Sequence, residues 1–290
     1  MNLSLKTGLH WAGTGLGLAG IVFVGIRLYL YSGDLDFQRF GFGAWIVFLT
    51  LAFIYGCANF LLAAAWWNIL NMLQVRADIS WSIRTYGVSQ LAKYIPGNIF
   101  QFAGRQALGV ASDLPGWALA KSVFWELALI SLAGSLFACL AAPSVIPELA
   151  VFWAAIIFLC IIFIASAGIK YIFGVSAAKA FGLYLFFLFV SGMVFVGTLL
   201  VVSGGENISL AFIVLCGSSY ILAWLAGLVT PGAPAGMGVR EVVILFLLGA
   251  QLAEADLLLA VLLNRIITVA GDAGFFSWAS LTGSLTHGKD

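Results

Sequence analysis

The chain has 290 residues, of which 63% are hydrophobic and only 9% charged, with a formal net charge of +1. A soluble domain carries about 25% charged residues, so a water-wettable surface is excluded and lipid is the solvent that suits this composition. The near-zero charge and the lack of a basic cluster exclude a nucleic-acid surface.

The first apolar run, residues 9–31, exceeds the roughly 7–15 residues of a signal-peptide core, and no small-residue cleavage site closes it. It reads as a first membrane span, with Gly13, Gly17 and Gly20 for close helix packing and Arg27 snorkelling at its end. Six further segments have the ~20 apolar residues a span needs: 43–70, 116–142, 149–169, 180–203, 208–229 and 255–282. The loops between them are short, so any function belongs to the bundle itself. If residues 80–110 dip in and return, Lys6, Arg76, Arg84, Lys170 and Lys179 share one side, against Arg39 on the other. The positive-inside rule then makes the N-terminus cytoplasmic.

Two segments, 80–110 and 230–252, do not read as simple spans. In the first, Pro96 removes a backbone donor and disfavours helix at Ile95. Gly97 turns freely, and Asn98 is suited to cap a new helix from Ile99. In the second, Pro231, Gly232, Pro234, Gly236 and Gly238 forbid one regular helix. The helix expected after it, over 239–251, would be about 20 Å long, too short for a core of about 30 Å.

The breaks resemble each other. Pro96-Gly97 leads to Gly104-Arg105, and Pro231-Gly232 leads to Gly238, Val239 and Arg240; proline and arginine are nine positions apart in both. Each break is followed by a span with charge in its first half, Lys121 and Glu126 or Arg265. Such internal symmetry is expected of transporters built from repeats, with halves at about 1–145 and 146–290. The expected fold is an all-α polytopic bundle of about seven spans plus two broken, re-entrant or half-helix segments.

Half-helix N-termini offer unpaired N–H groups and a partial positive charge of about +0.5, which suits phosphate or carboxylate. Arg105 and Arg240 have two readings: grip on a headgroup phosphate, or a structural ion pair. Lys93 either joins that site or snorkels. Glu126, Glu241, Arg265 and Asp272 lie in or beside apolar segments, where an ion costs at least about 2.5–3.5 kcal/mol and demands a partner or water. Arg265 and Asp272, seven apart, face one cavity without touching. Cys57, Cys139, Cys160 and Cys216 have no metal-ligand spacing and read as buried thiols. His10 and His287 lie near the termini. No metal motif, nucleophile–base pair or nucleotide loop is present in the sequence, so neither an enzyme nor a cofactor is expected.

The stretch from Leu91-Ala92-Lys93-Tyr94-Ile95-Pro96-Gly97 to Gly104-Arg105 resembles the first signature of the lysylphosphatidylglycerol synthase transmembrane-region, or flippase-like, family. Pro231 through Gly238-Val239-Arg240-Glu241 is similar to its second signature, and Asn264-Arg265 to a third. Ala233-Pro234-Ala235 departs from the glycine-rich pattern of the second. The resemblance implies a lipid with an anionic head, a phospholipid or a polyprenyl-phosphate-linked glycolipid, moved between leaflets of the cell membrane. Lysyl transfer is not expected, because the soluble aminoacyl-transfer domain is absent. Gly97, Asn98, Arg105, Gly238 and Arg240 would receive the headgroup, with Lys93, Glu126, Glu241, Arg265 and Asp272 along its path. Two other functions fit the same residues: a non-transporting partner of a glycosyltransferase in cell-envelope synthesis, and a secondary transporter of a small anion.

Overall fold

The computed structural model describes residues 40–95, 99–146, 148–205, 209–230 and 238–284. Among them there is no strand, and the chain is an all-α, multi-pass membrane bundle. The helices are α1 (Phe42–Met72), α2 (Ile79–Gln90), α3 (Phe100–Ala111), α4 (Gly116–Leu136), the single turn α5 (Ala138–Ala141), α6 (Val151–Phe173), α7 (Val175–Val202), α8 (Leu210–Val229), α9 (Val239–Leu248) and α10 (Glu254–Ser284). Six stretches are long and apolar enough to cross a membrane: α1, α4 with its continuation to Ser144, α6, α7, α8 and α10. They match the six expected segments from residue 43 onward. The largest boundary difference is at α7, which begins five residues early because Gly174, at φ +87°, makes the turn from α6 alone. The expected span at 9–31 lies outside the described residues.

Burial explains how the spans sit. α1 buries Tyr55, Asn59, Leu62, Trp66 and Ile69, a stripe at helical spacing. α6 buries only Ala154 and Ile169, and its remaining apolar surface is of the kind lipid covers. At 31 residues, α1 and α10 are each about 46 Å long, so they must tilt or protrude from a core of about 30 Å.

The first broken segment is a helical hairpin. Asp78 caps α2 by accepting from the N–H groups of Ser80 and Trp81. A 3-10 turn, Leu91–Tyr94, follows α2. α3 then returns along α2: Gly104 lies against Ser89, and Trp81 Nε1 donates to Ser112 Oγ at 3.2 Å. Each arm has 12 residues, about 18 Å, so the segment dips in and comes back. α3 begins at Phe100 with Ile99 in the cap position and no side-chain cap bond; Asn98, the expected cap, lies outside the described residues. The second broken segment is similar. α9 has ten residues, ends at Leu248 and packs back against α8.

The packing relates the two halves. α1, α2, α3 and α4 correspond in order to α7, α8, α9 and α10. Adjacent members of each set pack together, α1 meets α4 as α7 meets α10, and α2 meets α10 as α4 meets α8. The central pair, α1 and α7, is antiparallel, because Leu51 touches Gly197 and Tyr55 touches Phe187. Equivalent helices therefore run in opposite directions, which is the geometry of inverted repeats. The α2–α3 and α8–α9 pairs therefore start from opposite ends of the bundle.

Candidate functional site

Asp272, fully buried on α10, is the centre of a polar cluster. Its Oδ1 accepts from Asn59 Nδ2 on α1 at 3.0 Å and from Gln90 Nε2 at 3.2 Å. Its Oδ2 accepts from the Tyr94 hydroxyl and pairs with Lys93 Nζ at 2.7 Å. Gln90 Nε2 also donates to Asn59 Oδ1 at 2.8 Å. The backbone makes this convergence attainable. A Cβ on Gly271 would meet Ala52 O at 2.6 Å, and one on Gly56 would meet Gly271 O at 3.0 Å. Glycine at both positions lets α1 and α10 touch main chain to main chain, which brings Asp272 beside Asn59. The tip of the first hairpin supplies Gln90, Lys93 and Tyr94. Lys93 thus points inward to a carboxylate, with its side chain 20% exposed, so the snorkelling reading is corrected.

Arg105 on α3 is held by Glu126 on α4 through two bonds, Nη1 to Oε2 at 2.7 Å and Nη2 to Oε1 at 3.1 Å. The Tyr86 hydroxyl donates to Glu126 Oε1 at 3.0 Å. The rings of Tyr86, Phe102 and Trp66 lie 4.3, 5.1 and 5.3 Å from the guanidinium. Forked geometry, burial and aromatic faces make this a closed ion pair. Of the two readings of Arg105, the geometry favours the structural one.

The second half repeats the tie with the charges exchanged. Glu241 on the half-helix α9 pairs with Arg265 on α10 at 2.8 Å. Arg265 and Asp272 therefore have separate partners, as their spacing suggested. The pair also removes Glu241 from Arg240, which it would otherwise neutralise. Arg240 Nε is buried, and no hydrogen-bond partner reaches it among the described residues. The side chain is near enough to Tyr55, Lys93 and Tyr94 to interact with them electrostatically. Residues 231–237 bring no charged side chain.

Among the described residues the charge of the polar region does not balance. Among the described residues of this region the cations are Lys93, Arg105, Arg240 and Arg265, and the carboxylates are Glu126, Glu241 and Asp272. Three pairs close and Arg240 is left over. Gly238, which precedes it, has φ +81° and is exposed. Gly97 and Asn98 lie outside the described residues.

Several contributors were passed over in the sequence. Asn59 sits in an apolar span, where a polar amide demands a partner, and that signal could have found it. Tyr94 lies inside the Leu91–Arg105 stretch and Gln90 directly precedes it, but neither carries a charge. The hydroxyls of Tyr184 and Tyr220 are buried without a hydrogen-bond partner among the described residues, which only the fold reveals. No protein-family model matches the chain, and no curated protein matches it.

Proposed function

We propose that this protein is a membrane translocator for lipids with an anionic headgroup, which it moves between leaflets without chemical conversion. One observation carries the reading: Arg240, at the start of the half-helix α9, is a partly buried cation whose buried Nε has no hydrogen-bond partner and which pairs with no carboxylate among the described residues. An uncompensated charge inside a membrane bundle costs several kcal/mol, and a bound anion offsets it. The donors at the start of α9 add to that attraction. Inverted repeats with broken helices meeting at a central site are the architecture of alternating access. The resemblance of both breaks to flippase-like signatures supports a lipid as cargo. Acyl chains stay in the bilayer, so only the headgroup needs shelter.

In this reading Lys93 and Tyr94 flank the headgroup, Asp272 holds Lys93 in place, and the Arg105–Glu126 and Glu241–Arg265 pairs tie each half-helix to the next span. The connectors at Arg76 and between α6 and α7, with Lys170 and Lys179, share one side of the fold, which the positive-inside rule makes cytoplasmic. The test is dithionite bleaching of fluorescent phosphatidylglycerol in proteoliposomes. Wild-type protein exposes inner-leaflet lipid to the quencher, and Arg240→Gln lowers that rate by roughly a hundredfold. Equal rates for the two proteins, or a wild-type rate equal to that of empty vesicles, contradict the proposal.

A further inference from the structure

We infer that the site takes one singly charged phosphodiester headgroup, and that it selects by charge against both zwitterionic lipids and doubly charged phosphomonoesters. The inference rests on the translocator reading for its location, but it concerns binding alone.

Charge sets this selectivity. Among the described residues the polar interior holds three closed ion pairs and one surplus cation, Arg240. One negative charge brings the site to neutrality. A second would need another cation, and Lys93 is one whose charge interacts with that of Arg240. Lys93 is already held 2.7 Å from Asp272, whose other contacts are Asn59, Gln90 and Tyr94. Drawing Lys93 away would leave a fully buried carboxylate without its counter-charge. A zwitterionic head brings its own cation and leaves Arg240 uncompensated.

A second observation points to a ligand with hydrogen-bond acceptors. Tyr220 is 1% exposed and its hydroxyl has no hydrogen-bond partner among the described residues. It interacts electrostatically with Tyr55, which in turn interacts with Asp272 and Arg240. The Tyr220 hydroxyl and Arg240 Nε are both buried donors without a hydrogen bond among the described residues, and such groups are rare in folded proteins.

The lipid source follows from the surroundings. On α9, Val242 and Phe246 are 66% and 75% exposed and lie on one face with Gly238. Ile99 beside the first break and Val229 at the end of α8 are 63% and 60% exposed. Apolar side chains thus flank both breaks, suited to the chains of a lipid whose phosphate enters between them.

Spin-labelled lipids in proteoliposomes of phosphatidylcholine give the test, through the fraction immobilised by the protein. At neutral pH, phosphatidylglycerol should be favoured over phosphatidylcholine by roughly ten- to a hundredfold. Phosphatidic acid has a second ionisation near pH ~6. It should bind weakly at about pH 7.5 and several-fold better at about pH 5.5, where it is a monoanion. Phosphatidylglycerol should be flat over the same range. That arm also controls for titration of the groups facing the site: Tyr55 on α1, Tyr86 on α2, Lys93 and Tyr94 at the hairpin tip, Tyr220 on α8, Arg240 and Glu241 on α9, and Arg265 and Asp272 on α10. The charged residue of α7, Lys179, is exposed. Excess glycerophosphoglycerol, a soluble phosphodiester, should not displace the lipid; displacement would overturn the lipid source. Arg240→Gln should bring the selectivity to about one, and the wild-type arms stand if that variant does not fold. Equal binding of phosphatidylcholine, or preference for doubly charged phosphatidic acid, overturns the inference. Charge-selective binding without flipping would instead sink the translocator reading alone.

Discussion

Two arginines follow two similar breaks, yet their surroundings assign them opposite roles. Arg105 has a carboxylate, two short bonds and three aromatic faces. Arg240 has a buried Nε without a hydrogen-bond partner among the described residues. Their substitutions should therefore differ in sign. Glu126→Gln leaves Arg105 charged and poorly compensated, and should destabilise the fold by about 3–5 kcal/mol, measured by unfolding in mixed micelles with increasing dodecyl sulfate. Replacing both partners, Arg105→Met with Glu126→Leu, should recover most of that loss, because a buried pair exchanged for apolar groups is often neutral. A Glu126→Gln protein as stable as wild type would show that the pair does not hold α3 to α4. Sequence spacing made the two arginines look equivalent. What separates them is the next charge along each helix: Glu126 lies on a neighbouring span where it reaches Arg105, whereas Glu241 follows Arg240 directly and turns away to Arg265.

At the level of elements, the breaks were legible because proline and glycine act through local backbone rules. Hairpin α2–α3 and half-helix α9 lie where those residues require an interruption. The spans were legible because about 20 apolar residues in succession have few other uses. Less visible was the partner of each polar group, since Asp272 draws its contacts from residues 59, 90, 93 and 94. No periodicity announces contacts across that distance in sequence. Gly238 marks how much the second break depends on backbone freedom. At φ +81° and ψ −47° it occupies a region that L side chains avoid, although an added Cβ would meet nothing within 4 Å. Gly238→Ala should therefore cost about 1–3 kcal/mol through strain alone. Gly104→Ala, whose Cβ would make ordinary contact with Ser89 at 3.5 Å, should change little. Thermal unfolding in detergent compares the two, and equal midpoints would mean that the turn before α9 is not constrained at Gly238.

For the molecule as a whole, the halves share a packing scheme and differ in chemistry. The direction of the repeats, open from the sequence, follows from the antiparallel crossing of α1 and α7. The Asp272 cluster breaks the symmetry: its carboxylate comes from the second half, and its donors come from α1 and the first hairpin. A site assembled from both halves changes shape whenever one half moves against the other, which is what alternating exposure of a headgroup requires. Everything in that account depends on the surplus charge at Arg240. Native mass spectrometry of wild-type and Arg240→Gln protein, released from the same detergent, tests it directly, with thermal stability measured in parallel. The account predicts an anionic lipid retained by wild type and lost from the variant. It also predicts that the variant melts no lower than wild type, because the substitution removes a partly buried charge that pairs with no carboxylate among the described residues. Identical retained lipids in both proteins, or a variant destabilised as strongly as Glu126→Gln, would contradict it.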